Sequence, residues 1–205
     1  MSPQTIKLIA MAFSMKKEMK IFFYTVAIVC LLPVFAIIIL TQAGLNIVSG
    51  ALATVDTQTA QVDIHDPKTG DVIDSISQTA AWPVSGVVTL EFGERSPYQF
   101  FHTGIDIANG TVGDPVVAFM EGEVIYAGEL SWGYGKHVKI DHGHHIVSIY
   151  AHLNSIAVKE GDEVIPGTII GTRGDTGWST GPHTHFQINV FGIPVNPRVF
   201  LKGDP

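Results

Sequence analysis

Two hydrophobic patterns divide the chain. From Ile21 to Leu40 (IFFYTVAIVCLLPVFAIIIL) the sequence carries no charge. As a helix this run extends about 30 Å, the hydrocarbon thickness of a bilayer. It has no polar face, which argues against a helix of a soluble core. Pro33 within it is tolerated better in a membrane than in water. The run predicts a transmembrane anchor over 21–41; the competing reading, a cleaved signal peptide, has a shorter apolar core. After Trp82 the pattern changes to short runs separated by Gly and Pro: VVTLEF (87–92), PVVAF (115–119), EVIYAG (123–128), HVKI (137–140), HIVSIYAHL (145–153), EVIPGTIIG (163–171) and HFQINVF (185–191). Several alternate apolar and polar residues, as half-buried strands do. No long helical period follows residue 41. The expected fold is mainly β, an antiparallel β-sheet domain after one N-terminal transmembrane helix.

The polar stretch 42–80, rich in Thr, Gln, Asp, Ser and Ala, reads as an exported spacer. Within it Val62-Asp63-Ile64 and Asp71-Val72-Ile73 flank Asp66-Pro67-Lys68-Thr69-Gly70, the pattern of a hairpin and its turn. His65 there is expected to be solvated. Residues 1–20 form a short basic tail with a weakly amphipathic stretch from Ile6 to Phe13.

Charge changes the picture in one respect. The formal net charge is -7, yet Lys7, Lys16, Lys17 and Lys20 against Glu18 leave the first 20 residues at +3 and the rest at -10. The basic flank favours a cytoplasmic N-terminus and an exported body. An acidic body argues against nucleic acid as a partner. One cysteine, Cys30, excludes an internal disulfide and a Cys-based zinc finger.

The candidate chemistry lies between Trp82 and Phe200: His102 and Asp106 in FHTGIDIA, His152 in YAHL, His183 and His185 in GPHTHF. A strand ending at HTGID presents His102 and Asp106 to one ion if the turn at Gly104 bends them together. His183 and His185, two apart, share a strand face. Three ligands of the His/His/Asp type leave a position open for water, as a catalytic zinc requires. A spare imidazole beside that water can move a proton. Each motif alone is weak, since an isolated HxH is more often an exposed pair; the conjunction carries the weight. His137, His142, His144 and His145 read as a hairpin and its turn rather than a second metal site. The segment VKEGDEVIPGTIIG suggests a carrier domain, but Lys159 is not at a clear hairpin tip. GDTGWSTGP lacks the Lys of a phosphate loop.

Residues 82–200 resemble the lysostaphin-type, or LytM-like, zinc metalloendopeptidases, also called duplicated hybrid motif peptidases. The stretches that carry the resemblance are WPVSG (82–86), FGER (92–95), HTGIDIA (102–108), GDPVVAFMEGEVIYAG (113–128), GYGKHVKIDHG (133–143), YAHL (150–153), VKEGDEVIPGTIIGTRGDTGWSTGPHTHFQI (158–188) and NP (196–197). The resemblance implies an antiparallel β-sheet groove domain over 81–205. It implies Zn2+ held by His102, Asp106 and His185, with His152 and His183 as unliganded catalytic imidazoles. It also implies hydrolysis of peptide bonds in peptidoglycan stems or cross-bridges. All five positions are intact, which counts against the alternative of a regulatory LytM-like module that activates a separate cell-wall amidase. Two departures stand out: Gln187, where Glu commonly follows HxHF, and Phe100-Phe101 before the first His. The combined expectation is a single-pass protein of the bacterial cell membrane, anchored through 21–40, with its catalytic domain on the extracytoplasmic side.

Overall fold

The structure, a computed structural model, describes residues 17–205, and the side chains at 18, 35 and 37–39 lie outside the described set. The basic tail expected over 1–20 therefore falls outside it except for residues 17–20. The chain divides into two compact units, 1–43 and 44–205.

Helix α1 (Lys17–Leu52) covers the apolar run and holds Pro33 inside it. It continues beyond 41, where the anchor was expected to end. Nothing between 41 and 52 stops it: there is no Pro, and Gly44 and Gly50 each cost a helix only about 1 kcal/mol. Every side chain from Ile21 to Val34 is exposed. Among the described residues no helix is long and apolar enough to cross a membrane.

In the second unit the stretch expected to be a spacer is folded. Strands β1 (Ala53–Asp56), β2 (Gln61–His65) and β3 (Val72–Ser77) form an antiparallel sheet in that order. Alternation along β2 buries Val62 and Ile64, which join Leu52, Ala53, Phe200 and Leu201 in one core. The expected hairpin is present, its turn held by Asp66, whose Oδ1 accepts from the Lys68 and Thr69 amides. His65 is not simply solvated: its ring reaches Thr54 Oγ1 at 2.8 Å and the Gly70 carbonyl at 3.0 Å. Polar composition misleads here because an antiparallel sheet needs only one apolar face.

The rest is β4 (Val87–Leu90), β5 (Ile105–Ala108), β6 (Pro115–Val117), β7 (Gly122–Glu129), β8 (Lys136–Asp141), β9 (Ile146–Leu153), β10 (Ser155–Ile156), β11 (Glu163–Val164), β12 (Ile169–Thr172), β13 (Thr184–Val190) and β14 (Ile193–Val195). An eight-stranded antiparallel sheet runs β11-β7-β8-β9-β13-β5-β4, with β14 paired to β13; β10-β12-β6 form a smaller one. EVIPGTIIG, expected as one strand, is broken by a turn in which the Thr168 amide donates to the Ile165 carbonyl, so its halves enter different sheets. Central β9 is buried at seven of its eight positions, so it shows no alternation. The buried Tyr150 hydroxyl accepts from the Phe119 amide at 3.0 Å, satisfying a polar group in the core.

Candidate metal centre and groove

Strand register assembles the site. His185 on β13 lies opposite Asp106 on β5 and opposite Ala151 on β9. His102 is not on a strand. It precedes β5, so the strand begins at the HTGID stretch instead of ending there. A Cβ added at Gly104 would lie 2.3 Å from the Phe186 carbonyl oxygen and 2.9 Å from the His185 ring. Only glycine lets this turn close against β13.

His152 is delivered by a bulge. Lys136 pairs with Leu153 and Val138 with Tyr150, so Ala151 and His152 together face His137 alone. His152 has φ 61°, a strained value for a side-chain-bearing residue, and its amide donates to the Tyr134 carbonyl at 2.8 Å. His183 directly precedes β13 and bridges to Gly174. The loop before it is braced: the Trp178 amide donates to Gly133, and a Cβ on Gly177 would lie 2.3 Å from the Gly135 nitrogen.

All five predicted residues line one groove of about 480 Å³, with Tyr98, Trp132, Tyr134 and Trp178 among its walls. His102 Nε2, His185 Nδ1 and Asp106 Oδ1 form a triangle with sides of 2.9, 3.0 and 3.0 Å. Among the described residues, these three are the group of His, Cys, Asp and Glu close enough to hold an ion. His183 Nε2 stands 3.6 Å from Asp106 Oδ1, and the His152 ring lies 4.7 Å from that of His183.

The ring nitrogens facing away determine what the triangle can do. His102 Nδ1 donates to the Glu91 carbonyl at 3.1 Å, and His185 Nε2 donates to Gln187 Oε1 at 3.3 Å. Each neutral ring then directs a lone pair at the carboxylate. Three lone pairs within 3.0 Å need positive charge among them, as ring protons or as a cation. Burial alone would raise the Asp106 carboxyl; hydrogen bonds and charge from the His102 and His185 rings, when these carry the protons on their inward nitrogens, outweigh it and hold it well below the usual carboxylate range. Zinc ligated at about 2.0–2.1 Å in a tetrahedron needs donors roughly 3.3 Å apart, so the triangle fits it within a few tenths of an ångström. His152 Nδ1 donates to the Thr176 carbonyl at 2.8 Å and His183 Nδ1 to the Gly181 carbonyl at 2.8 Å, leaving Nε2 of each as the basic nitrogen.

Sequence reasoning missed the groups behind the rings. The Glu91, Thr176 and Gly181 carbonyls are backbone and leave no motif. Tyr134, which lines the groove, also bonds Gln187 through its hydroxyl at 2.9 Å.

Residues 100–197 match Peptidase family M23. The chain belongs to this family. It is similar to the murein hydrolase activator NlpD of Salmonella dublin, 35% identical over 154 residues, covering 75% of this chain and 40% of that protein. It is also similar to the DD-carboxypeptidase/endopeptidase Mpg of Neisseria meningitidis serogroup B, 44% identical over 96 residues, or 47% of this chain and 22% of that one. Among solved structures, the antimicrobial peptidase lysostaphin from Staphylococcus simulans superposes with a TM-score of 0.54 at 33% identity, covering 61% of this chain and 52% of lysostaphin. The chain thus spans less than half the length of these two curated relatives.

Proposed function

We propose that this chain is a zinc metalloendopeptidase that hydrolyses peptide bonds in peptidoglycan stems or cross-bridges. The observation that carries the reading is the triangle of His102, Asp106 and His185, 2.9–3.0 Å on a side, on the floor of a groove that two further imidazoles also face. His102, Asp106 and His185 are the residues that would hold the metal. Zinc, when bound, supplies a Lewis acid for the scissile carbonyl and a water of lowered pKa. His152 and His183 do the proton work: each has Nδ1 committed to a backbone carbonyl and Nε2 available to take a proton and pass it to the leaving amine. Burial, helped by the neighbouring His183 and His185 rings, pulls the His152 imidazole down to about 4, so it is neutral and able to accept at pH 7. The braced walls bearing Trp132 and Trp178 keep the peptide against these groups.

The membrane reading is part of the same proposal. Residues 21–40 cross the bacterial cell membrane once, with 1–20 cytoplasmic and the catalytic domain, 81–205, outside. The uncovered apolar side chains of Ile21–Val34 support it, as does the +3 flank before them. Protease added to intact spheroplasts should digest the body and leave a membrane-bound N-terminal fragment; complete protection would refute the orientation.

The purified chain, incubated with peptidoglycan, should generate new amino termini. Chelation should abolish them and zinc restore them. Zinc-loaded protein that produces none would overturn the assignment. The likeness to a murein hydrolase activator favours a second reading, a regulator of a separate wall amidase. That reading requires stimulation of an added amidase with no peptide cleavage by the chain alone.

A further inference from the structure

The groups that hold His102 and His185 differ in kind. The outward nitrogen of His102 meets a backbone carbonyl, which mutation cannot remove. That of His185 meets a side chain, Gln187, only 3% exposed and two residues further along β13. Gln187 is itself held on all sides. Its Oε1 accepts from the Thr103 hydroxyl at 2.6 Å and the Tyr134 hydroxyl at 2.9 Å as well as from His185. Its amide nitrogen donates to Asn189 Oδ1 at 2.8 Å. With Asn189 Oδ1 as the acceptor, the amide nitrogen points away from the ring and Oε1 faces it.

We propose that Gln187 is a positioning residue whose carbonyl oxygen locks His185 in the tautomer protonated at Nε2. The Nδ1 lone pair is then permanently directed at Asp106 and His102. The opposite tautomer would turn an Nε2 lone pair onto Gln187 Oε1 and a proton into the triangle. Thr103 and Tyr134, both lining the groove, complete the device by aiming the oxygen. The effect on zinc rests on the metallopeptidase reading, whereas the tautomer does not.

The test uses the full chain labelled with 15N-histidine. Ring-nitrogen shifts of His185 in the metal-free protein report the tautomer, and competition against a chelator reports zinc affinity. Gln187→Met keeps length and removes the acceptor; Gln187→Glu keeps an acceptor. Gln187→Met should give a mixture of His185 tautomers and bind zinc about 10–100-fold more weakly, the usual consequence of losing a ligand's hydrogen-bond partner. Gln187→Glu should restore both to wild-type levels. Thr103→Val removes the 2.6 Å bond that aims Oε1 without touching the ring, and it should shift both readouts in the same direction by less. If Gln187→Met does not fold, Thr103→Val decides. A pure Nε2-protonated His185 and unchanged affinity in the folded variants would overturn the inference, as would Gln187→Glu behaving like Gln187→Met. Wild-type protein that binds no zinc would instead overturn the metallopeptidase reading and leave the tautomer test standing.

Discussion

Most histidines of this domain fall into two groups at two places in the sheet; His137, buried on β8 with Nδ1 against the Gly135 carbonyl and its ring stacked on Tyr126, belongs to neither. At the groove, His102, His152, His183 and His185 each commit one ring nitrogen to an outward acceptor and turn the other inward. At the β8–β9 turn, His142 uses both: Nδ1 meets the Glu121 carbonyl at 2.6 Å and Nε2 meets Ser148 Oγ at 2.7 Å. His144 pairs with Asp74, and His145 stacks on Phe191 with centroids 4.1 Å apart. Burial does not separate the groups, since His142 and His152 are both 7% exposed. Hydrogen-bond balance separates these two: His142 has a partner at each ring nitrogen, whereas His152 bonds through Nδ1 and turns Nε2 to the groove.

The largest expected effect breaks the groove group at its candidate metal site. His185→Ala removes one of three donors, and a three-ligand site has no spare. Zinc affinity should fall by more than about 100-fold, beyond what outer partners cost, and hydrolysis should fall with it. Metal content after dialysis checks this, and full occupancy would show that the triangle is not the site. His142→Asn in the same assay should keep its zinc.

Next in size is the division within the groove. His152→Ala and His183→Ala should retain zinc and lose activity by about 100-fold or more, the magnitude of general acid–base catalysis. Loss of zinc from either would exchange the roles of ligand and catalyst.

The groove group was legible in the sequence because its short motifs fall together and match a family. Its mechanics were not. The HTGID stretch was read as a strand end, but the turn comes first because Gly104 packs so close to β13 that a Cβ on it would lie 2.3 Å from the Phe186 carbonyl oxygen. The bulge at His152 leaves no pattern, since β9 is buried at nearly every position and a two-residue period is invisible there. The spacer reading has the opposite cause: the β2–β3 hairpin was legible, but β1–β3 are polar on one face, so the stretch read as a link between membrane and domain although Val62 and Ile64 lie fully in the core. The hairpin turn at His142–His145, with its glycine and paired histidines, was readable because turn chemistry is local.

A smaller effect sharpens the contrast through pH. Burial, opposed by the bond to the Glu121 carbonyl, pulls the His142 imidazole from its ordinary value of 6.5 down to about 4. Between those values the unfolded chain binds more protons than the folded one. His142 therefore contributes stability above pH 6.5 that is lost as pH falls towards 4, up to about 3 kcal/mol. Urea midpoints of the chelated protein should drop over this window. In His142→Asn the drop should be shallower, although the variant is less stable at pH 7. An unchanged slope would mean that other groups dominate acid unfolding.

The smallest effect concerns the His144–Asp74 pair, which joins the β8–β9 turn to β3. The hydrogen bond from His144 is the main influence lowering the Asp74 carboxyl, so the contact is electrostatic in character. Its side chains are 47% and 34% exposed, and solvent screens most of the attraction. Pairs of this kind contribute about 0–1 kcal/mol. His144→Ala should therefore lower the melting temperature by only about 1–3 °C, less in 0.5 M salt than at low salt, and leave zinc and activity unchanged. A loss as large as that of His142→Asn, insensitive to salt, would show that the turn holds the β1–β3 sheet by packing. His145 against Phe191 would then be the residue to change next. The outcome also bears on the groove: if removing His144 altered zinc affinity, the two groups would be coupled through β9, whose ends carry the turn and His152.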